Sequence, residues 1–249
     1  MNLKKIATLI TIAGITLTSS GVRVFADAPA ILKSKAKVVF TAPTNPDKPI
    51  VDPEDPENPD QGKPDPDPEP GTGGLLSIDH VSNFDFETHE IQIGYEMNFF
   101  ALPQAWKEAH GLETTKPNYV QVSDQRLTGD GWRLLVKQDE ELKTSDNKVL
   151  TGAKITVSNI EAVTATATTD QLPIAYPTIE ITPSGESKTV MLAEKDKGQG
   201  THLARFGDSN SKGSSVKLTV PSTTTVYAKE YTANLTWTLL DVPDILTNL

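Results

Sequence analysis

Gly131-Trp132-Arg133-Leu134-Leu135-Val136 and, about one hundred residues later, Tyr231-Thr232-Ala233-Asn234-Leu235-Thr236-Trp237-Thr238-Leu239 decide the fold. Each holds a Trp-x-Leu inside a run that alternates apolar with polar residues. Alternation with period two lays one face of a strand on a core. Trp132, Leu134 and Val136 then share one face, and Arg133, Leu135 and Lys137 the other. On the later strand Tyr231, Ala233, Leu235, Trp237 and Leu239 share a face.

The same pattern recurs on either side of these runs. Leu75–Asp79, Ile91–Gly94, Tyr119–Val122, Ile155–Val157, Ile179–Ile181, Thr189–Leu192 and Val216–Val220 all read as strands. Turn signals separate them, among them Gly129-Asp130-Gly131, Pro183-Ser184-Gly185 and Gly207-Asp208-Ser209-Asn210. Short strands at this spacing predict an all-β, antiparallel sandwich or barrel-like domain. One helical turn is expected at Pro103–Ala109. No βαβ alternation is present, which argues against a nucleotide-binding fold.

Residues 1–26 read as a secretory signal. Lys4 and Lys5 form the basic start, Ile6–Leu17 the apolar stretch, and Val24-Phe25-Ala26 the small-residue cleavage site, placing the cut between Ala26 and Asp27. An apolar run of about twelve residues is short for a bilayer, which needs roughly twenty. No second long apolar segment and no Leu-Pro-x-Thr-Gly motif follows, so no membrane span or covalent anchor is expected after processing.

Residues 27–41 hold a short alternating strand, Ala36-Lys37-Val38-Val39-Phe40. Residues 42–74 form a loop or linker rich in proline and acid, and residues 75–249 the domain body. Thr41–Gly74 contains ten prolines and nine acidic residues, against Lys48 and Lys63. Such a stretch is extended, self-repelling and expected to be solvated and disordered. It is either a spacer to a short tail or a long loop whose N-terminal strand pairs back with the body. Closing a loop of about 33 residues costs only about 3 kcal/mol, and an alternating apolar strand left in solvent would be anomalous. Asp65-Pro66-Asp67-Pro68-Glu69 lacks the glycine turn and ligand spacing of a calcium loop.

The chain has no cysteine. About 190 residues outside leader and linker are enough for a core without disulfides. The formal charge is −10, and losing Lys4, Lys5 and Arg23 with the leader takes it to −13. Nucleic acid is a poor candidate partner, because phosphate binding needs a basic surface.

No catalytic set stands out. There is no Gly-x-Ser-x-Gly elbow and no cysteine nucleophile, so the chain reads as a non-enzyme without cofactor. His80, His89, His110 and His202 lack metal-ligand spacing and read as surface histidines, although His80 and His89 could meet across a hairpin near Asp79. Asp124 and Arg126 precede the Trp132 strand and suit a carboxylate–guanidinium pair pinning the turn. The sharper alternative has Arg126 binding a carboxylate or amide of a peptide. For Trp132 and Trp237 a glycan-stacking platform competes with a core role. Tryptophan is highly buried on average, and both sit in register with Leu and Val, which favours the core.

The residues as a set resemble the WxL-domain family of Gram-positive surface proteins. The resemblance rests on Val120-Gln121-Val122-Ser123-Asp124-Gln125-Arg126 with Gly131-Trp132-Arg133-Leu134, and on Val216–Pro221 with Tyr231–Leu239 and Asp241-Val242-Pro243. Leu150-Thr151-Gly152-Ala153, Gly198-Gln199-Gly200-Thr201, Phe206-Gly207 and Gly73–Asp79 with Ser82–Phe86 add to it. One departure is Glu87, where glycine is expected; it bears on the local turn. The resemblance implies a non-covalent attachment module at the cell surface that associates with peptidoglycan. It also implies companions: larger WxL proteins and membrane-anchored WxL-interacting proteins. A purely protein–protein subunit with no glycan contact is the alternative.

Overall fold

A computed structural model describes residues 34–44, 48–58, 61–166, 171–183 and 185–241. The leader and its cut at Ala26–Asp27 lie outside the described residues. The chain divides into Met1–Val39 and Phe40–Leu249. Of the first, Ser34–Val39 carries no strand. Val38 and Val39, with Phe40 after them, are 71, 70 and 84% exposed, so the strand expected over Ala36–Phe40 does not form.

The described residues of the second hold fifteen strands and no α-helix. In chain order they are β1 (Gly62–Pro64), β2 (Leu76–Val81), β3 (Met97–Phe100), β4 (Gln104–Glu108), β5 (Glu113–Lys116), β6 (Asn118–Asp124), β7 (Trp132–Gln138), β8 (Lys154–Ser158), β9 (Ile160–Thr164), β10 (Ile174–Ala175), β11 (Thr178–Ile181), β12 (Lys188–Ala193), β13 (Gly200–Phe206), β14 (Val216–Val220) and β15 (Leu235–Leu240). All named pairings are antiparallel. They make four sheets, ordered β1-β4-β5, β10-β12-β7-β15, β11-β8-β14-β3 and β2-β6-β13-β9. The all-β antiparallel class expected from the alternation is therefore the one observed.

Period two explains the layering. Along β7 Trp132, Leu134, Val136 and Gln138 are buried, and the residues between them half-buried. Val120 and Val122 of β6, Ala204 and Phe206 of β13, Ile155 and Val157 of β8, Ile181 of β11 and Val216 of β14 join Trp132, Leu134 and Val136 in the main core. Strand β6 is buried at every position. Its inner residues face that core, and its outer residue Tyr119 belongs to a second, smaller core with Val51, Trp106 and Leu203.

That second core corrects the expectation of a solvated 42–74 stretch. Val51 and Asp52 are 2 and 3% exposed, and β1 pairs with β4 so that Pro64 lies opposite Trp106. The apolar pair Ile50-Val51 supplies what the surrounding prolines and acids lack, a group worth burying. Two further expectations fail. Pro103–Ala109 contains a strand, not a helical turn: pairing of β4 with β1 on one side and β5 on the other overrides local preference and sends Trp106 inward. Ile91–Gly94 has no strand partner, and Ile93 is 91% exposed.

Candidate functional site

The two Trp-x-Leu motifs lie on neighbouring strands. In the β7–β15 register Leu134 faces Leu239, and Val136 faces Trp237. The motifs thus overlap antiparallel at their leucines, and the indoles sit at opposite ends of the overlap. Trp237 is four residues along from Trp132, about 13 Å at strand rise. The indoles do not pack on each other.

Both instead meet β13 of the facing sheet. Trp132 is 0% exposed, with its ring 6.2 Å from that of His202. Trp237 is half-buried and stacks on Phe206 at 6.4 Å and 17°. His202 and Phe206 are four residues apart on β13, matching the spacing of the indoles. Aromatic pairs of this kind contribute about 0.5–1.5 kcal/mol beyond area burial. Leu134 is fully buried, and Tyr231, Leu235 and Leu239 are half-buried against the same core. The motif is therefore the fastener between two sheets.

Glycines make room for it. Trp132 Nε1 donates to the carbonyl of Gly198 at 2.9 Å. Gly198 has φ +75°, and a Cβ there would lie 2.3 Å from Ala193 Cβ and 2.6 Å from Trp132 Nε1. Only glycine lets this loop lie on the indole edge.

Arg126 ties both motifs to the end of β6. Its Nε and Nη2 donate to the two carboxylate oxygens of Asp124 at 2.9 and 2.8 Å. Nη2 also donates to the Gly131 carbonyl at 2.7 Å, next to Trp132. Nη1 donates to the Asp241 carbonyl at 3.0 Å, one residue beyond β15. The Asp124 hydrogen bonds, then its charge, raise the guanidinium above its already high pKa. The turn-pinning pair expected from sequence is thus formed, and two backbone carbonyls engage the remaining donors.

The surface reading of two histidines is corrected. His80 and His202 are 5 and 0% exposed, and burial pushes each pKa down to about 4. His202 Nε2 lies 3.0 Å from the Gln199 carbonyl, so the neutral ring carries its proton on that nitrogen. His89 and His110 are exposed, and His89 stacks on Phe99 rather than meeting His80. Among the described residues no group of His, Asp and Glu could hold a metal ion.

The sequence did not single out the seat of the 48–58 segment. Gln121 receives Val51 N–H at 3.0 Å and donates to the Pro49 carbonyl at 2.9 Å. Asp79, turned by the bulge between Ile78 and His80, accepts from Gln121 at 3.2 Å and from the hydroxyls of Ser77 and Ser123 at 2.5 Å each. Lys116 pairs with Asp52 at 2.6 Å, Glu54 at 3.3 Å and Glu108 at 3.5 Å. Burial opposes the Lys116 charge, but Asp52 and then Glu108 and Glu54 outweigh it and raise the pKa. The available signal was Ile50-Val51, an apolar pair amid prolines.

A surface hollow of about 480 Å³ lies beside the Tyr231 run, lined by Lys143, Thr144, Ser145, Asn147, Lys229, Glu230 and Thr232. Nearby, Tyr227 is 43% exposed with Lys148 Nζ 5.4 Å from its ring centre, and its N–H is received by Tyr231 Oη at 2.9 Å.

A family model described as a WxL domain, surface cell wall-binding, matches residues 27–243. No curated protein and no solved structure matches the chain.

Proposed function

The chain belongs to the WxL family of surface cell wall-binding domains, and from that premise we propose that it is a secreted, non-covalent attachment and assembly module that binds peptidoglycan. The family match over nearly the whole chain carries this reading; the family is a wall-binding one, not an enzyme family. The proposed route is export by the 1–26 leader with cleavage after Ala26, which mass spectrometry of a mature N-terminus at Asp27 would test.

Trp132 is fully buried, so its ring has no free face for stacking on a glycan. The contact surface proposed is the hollow beside Tyr231. Two lysines, three hydroxyls and the Asn147 amide line it, suited to the carboxylates, amides and hydroxyls of wall peptide and sugar. Tyr227 offers an exposed ring next to it. Retention on purified, protein-stripped walls tests the reading. Tyr227→Ala should lose retention while keeping the melting midpoint. Failure of the native domain to bind such walls refutes direct binding.

The formal charge sets a salt dependence. A chain at −10, or −13 after processing, is repelled by anionic wall polymers, so added salt at pH 7 should increase retention by screening. Proton uptake by carboxylates near pH 4–5 should act in the same direction.

One observation favours protein companions as well. Ile91, Ile93 and Tyr95 are 39, 91 and 67% exposed within five residues, an apolar cluster suited to a protein surface. Binding only to walls that retain their proteins would select this second reading.

A further inference from the structure

The segment Lys48–Pro56 behaves in this fold as a peptide lying in a groove. It forms no strand with its neighbours. Side chains hold it instead. Gln121 grips its backbone through Val51 N–H and the Pro49 carbonyl. Val51 fills the space between Trp106, Tyr119 and Leu203. Asp52 meets Lys116, and Arg205 Nη1 reaches the Pro53 carbonyl at 3.3 Å. Lys48 Nζ donates to Ser77 Oγ at 2.5 Å. Groove cations facing an acidic segment are a local exception on a chain of net charge −10.

Three features make this seat exchangeable. Its contacts are a few side-chain bonds and the apolar pair Ile50-Val51, with no backbone ladder to unzip. The seat is imperfect: Trp106 Nε1 and Tyr119 Oη, both on nearly inaccessible residues, find no hydrogen-bond partner with the segment in place. The chain is exposed at Pro43 and Thr44 before the segment and at Glu57 and Asn58 after it. Of the second core, only Val51 leaves with the segment; Trp106, Tyr119 and Leu203 lie on strands outside it.

We infer that two copies of this chain exchange their Lys48–Pro56 arms, each arm seated in the other copy's Trp106–Tyr119 groove. The sequence shown to fit the groove is carried by every copy, so exchange preserves each contact, and reciprocal exchange closes a two-fold pair. Within one copy the arm competes at high effective concentration. Exchange therefore grows where copies are crowded, or where self-seating is blocked. The inference does not depend on the wall ligand, and its test reads mass in solution rather than retention on walls.

Charge-swapped variants of the mature chain separate the outcomes. Asp52→Lys gives a basic arm that Lys116 repels, and Lys116→Glu gives an acidic groove that repels the native arm. Each variant alone is expected to be monomeric, because neither arm fits the groove of its own kind. Mixed, the basic arm of the first variant fits the acidic groove of the second, and the native arm of the second fits the native groove of the first. Light scattering should then show a two-fold rise in mass. The double variant Asp52→Lys with Lys116→Glu restores self-seating and should be monomeric. A mixture that keeps the monomer mass while both variants are folded overturns the inference. So does either variant pairing with itself as readily as with the other. If a single variant is unfolded alone, recovery of a cooperative melt on mixing supports exchange, and no recovery overturns it.

Discussion

Acidification should weaken this domain before most of its carboxylates titrate, because of His80 and His202. Both rings are buried and neutral, with pKa values pushed by burial down to about 4. In the unfolded chain they titrate near 6.5. Between these values the unfolded state binds more protons, so stability falls as pH falls. The contribution is fully present above about pH 6.5, reduced by about 2 kcal/mol per histidine at pH 5 and by about 3 at pH 4. For two rings that approaches a typical total of about 5–15 kcal/mol. Asp146, lowered to about 2 by Lys229 and Thr144, acts in a lower window and leaves this one unaffected. Urea melts at half-unit steps from pH 7.5 to 4.5 measure the slope. The double variant His80→Asn with His202→Gln should be weaker at pH 7 but flatter with pH. A midpoint independent of pH in the native domain, or the same slope in the double variant, refutes the reasoning. The result also bears on wall binding: at pH 4–5 unfolding competes with any gain from carboxylate protonation, so salt at pH 7 is the cleaner lever.

Three other outcomes are expected. Gly198→Ala should cost more than about 2 kcal/mol, through strain at φ +75° and a Cβ driven onto Ala193 and Trp132; an unchanged melt with an unshifted tryptophan emission would contradict the packing. Arg126→Lys should cost about 1.5–3 kcal/mol, because an ammonium cannot hold Asp124 in a two-point grip while reaching the Gly131 and Asp241 carbonyls; a loss below about 0.5 kcal/mol would show the clasp to be idle. Glu87→Gly should raise stability by up to about 1 kcal/mol, since Glu87 holds φ +61° where glycine is unstrained; a loss on thermal melting would mean that its side chain contributes more than its backbone costs.

Much of the all-β fold was legible because strand periodicity is local information. Trp132, Leu134 and Val136 sit two residues apart, and burying one forces burial of the others. The Asp124–Arg126 pair was legible for the same reason, being two residues apart across a turn. Glu87 is a finer case: a departure from the expected glycine coincides with a left-handed backbone, because the turn's geometry persists when its preferred residue does not.

Local pattern failed where burial depends on a partner distant in the chain. His80 and His202 look like solvent residues until the bulge in β2 and the facing Trp132 enclose them. Ile91–Gly94 alternates like a strand, yet no neighbour offers it a ladder. The proline and acid of 42–74 read as solvated chain, while the burial of Val51 and Asp52 depends on Tyr119, Trp106 and Lys116, some 55 to 70 residues onward.

The sequence alone therefore determined which faces must be covered, since side-chain alternation is written residue by residue. The tertiary structure decided what covers them: Leu134 against Leu239, His202 and Phe206 beneath the two indoles, and an acidic arm across Trp106 and Tyr119. Covering a face requires strands far apart in the chain to meet, and their register is settled by the packing of all the sheets together.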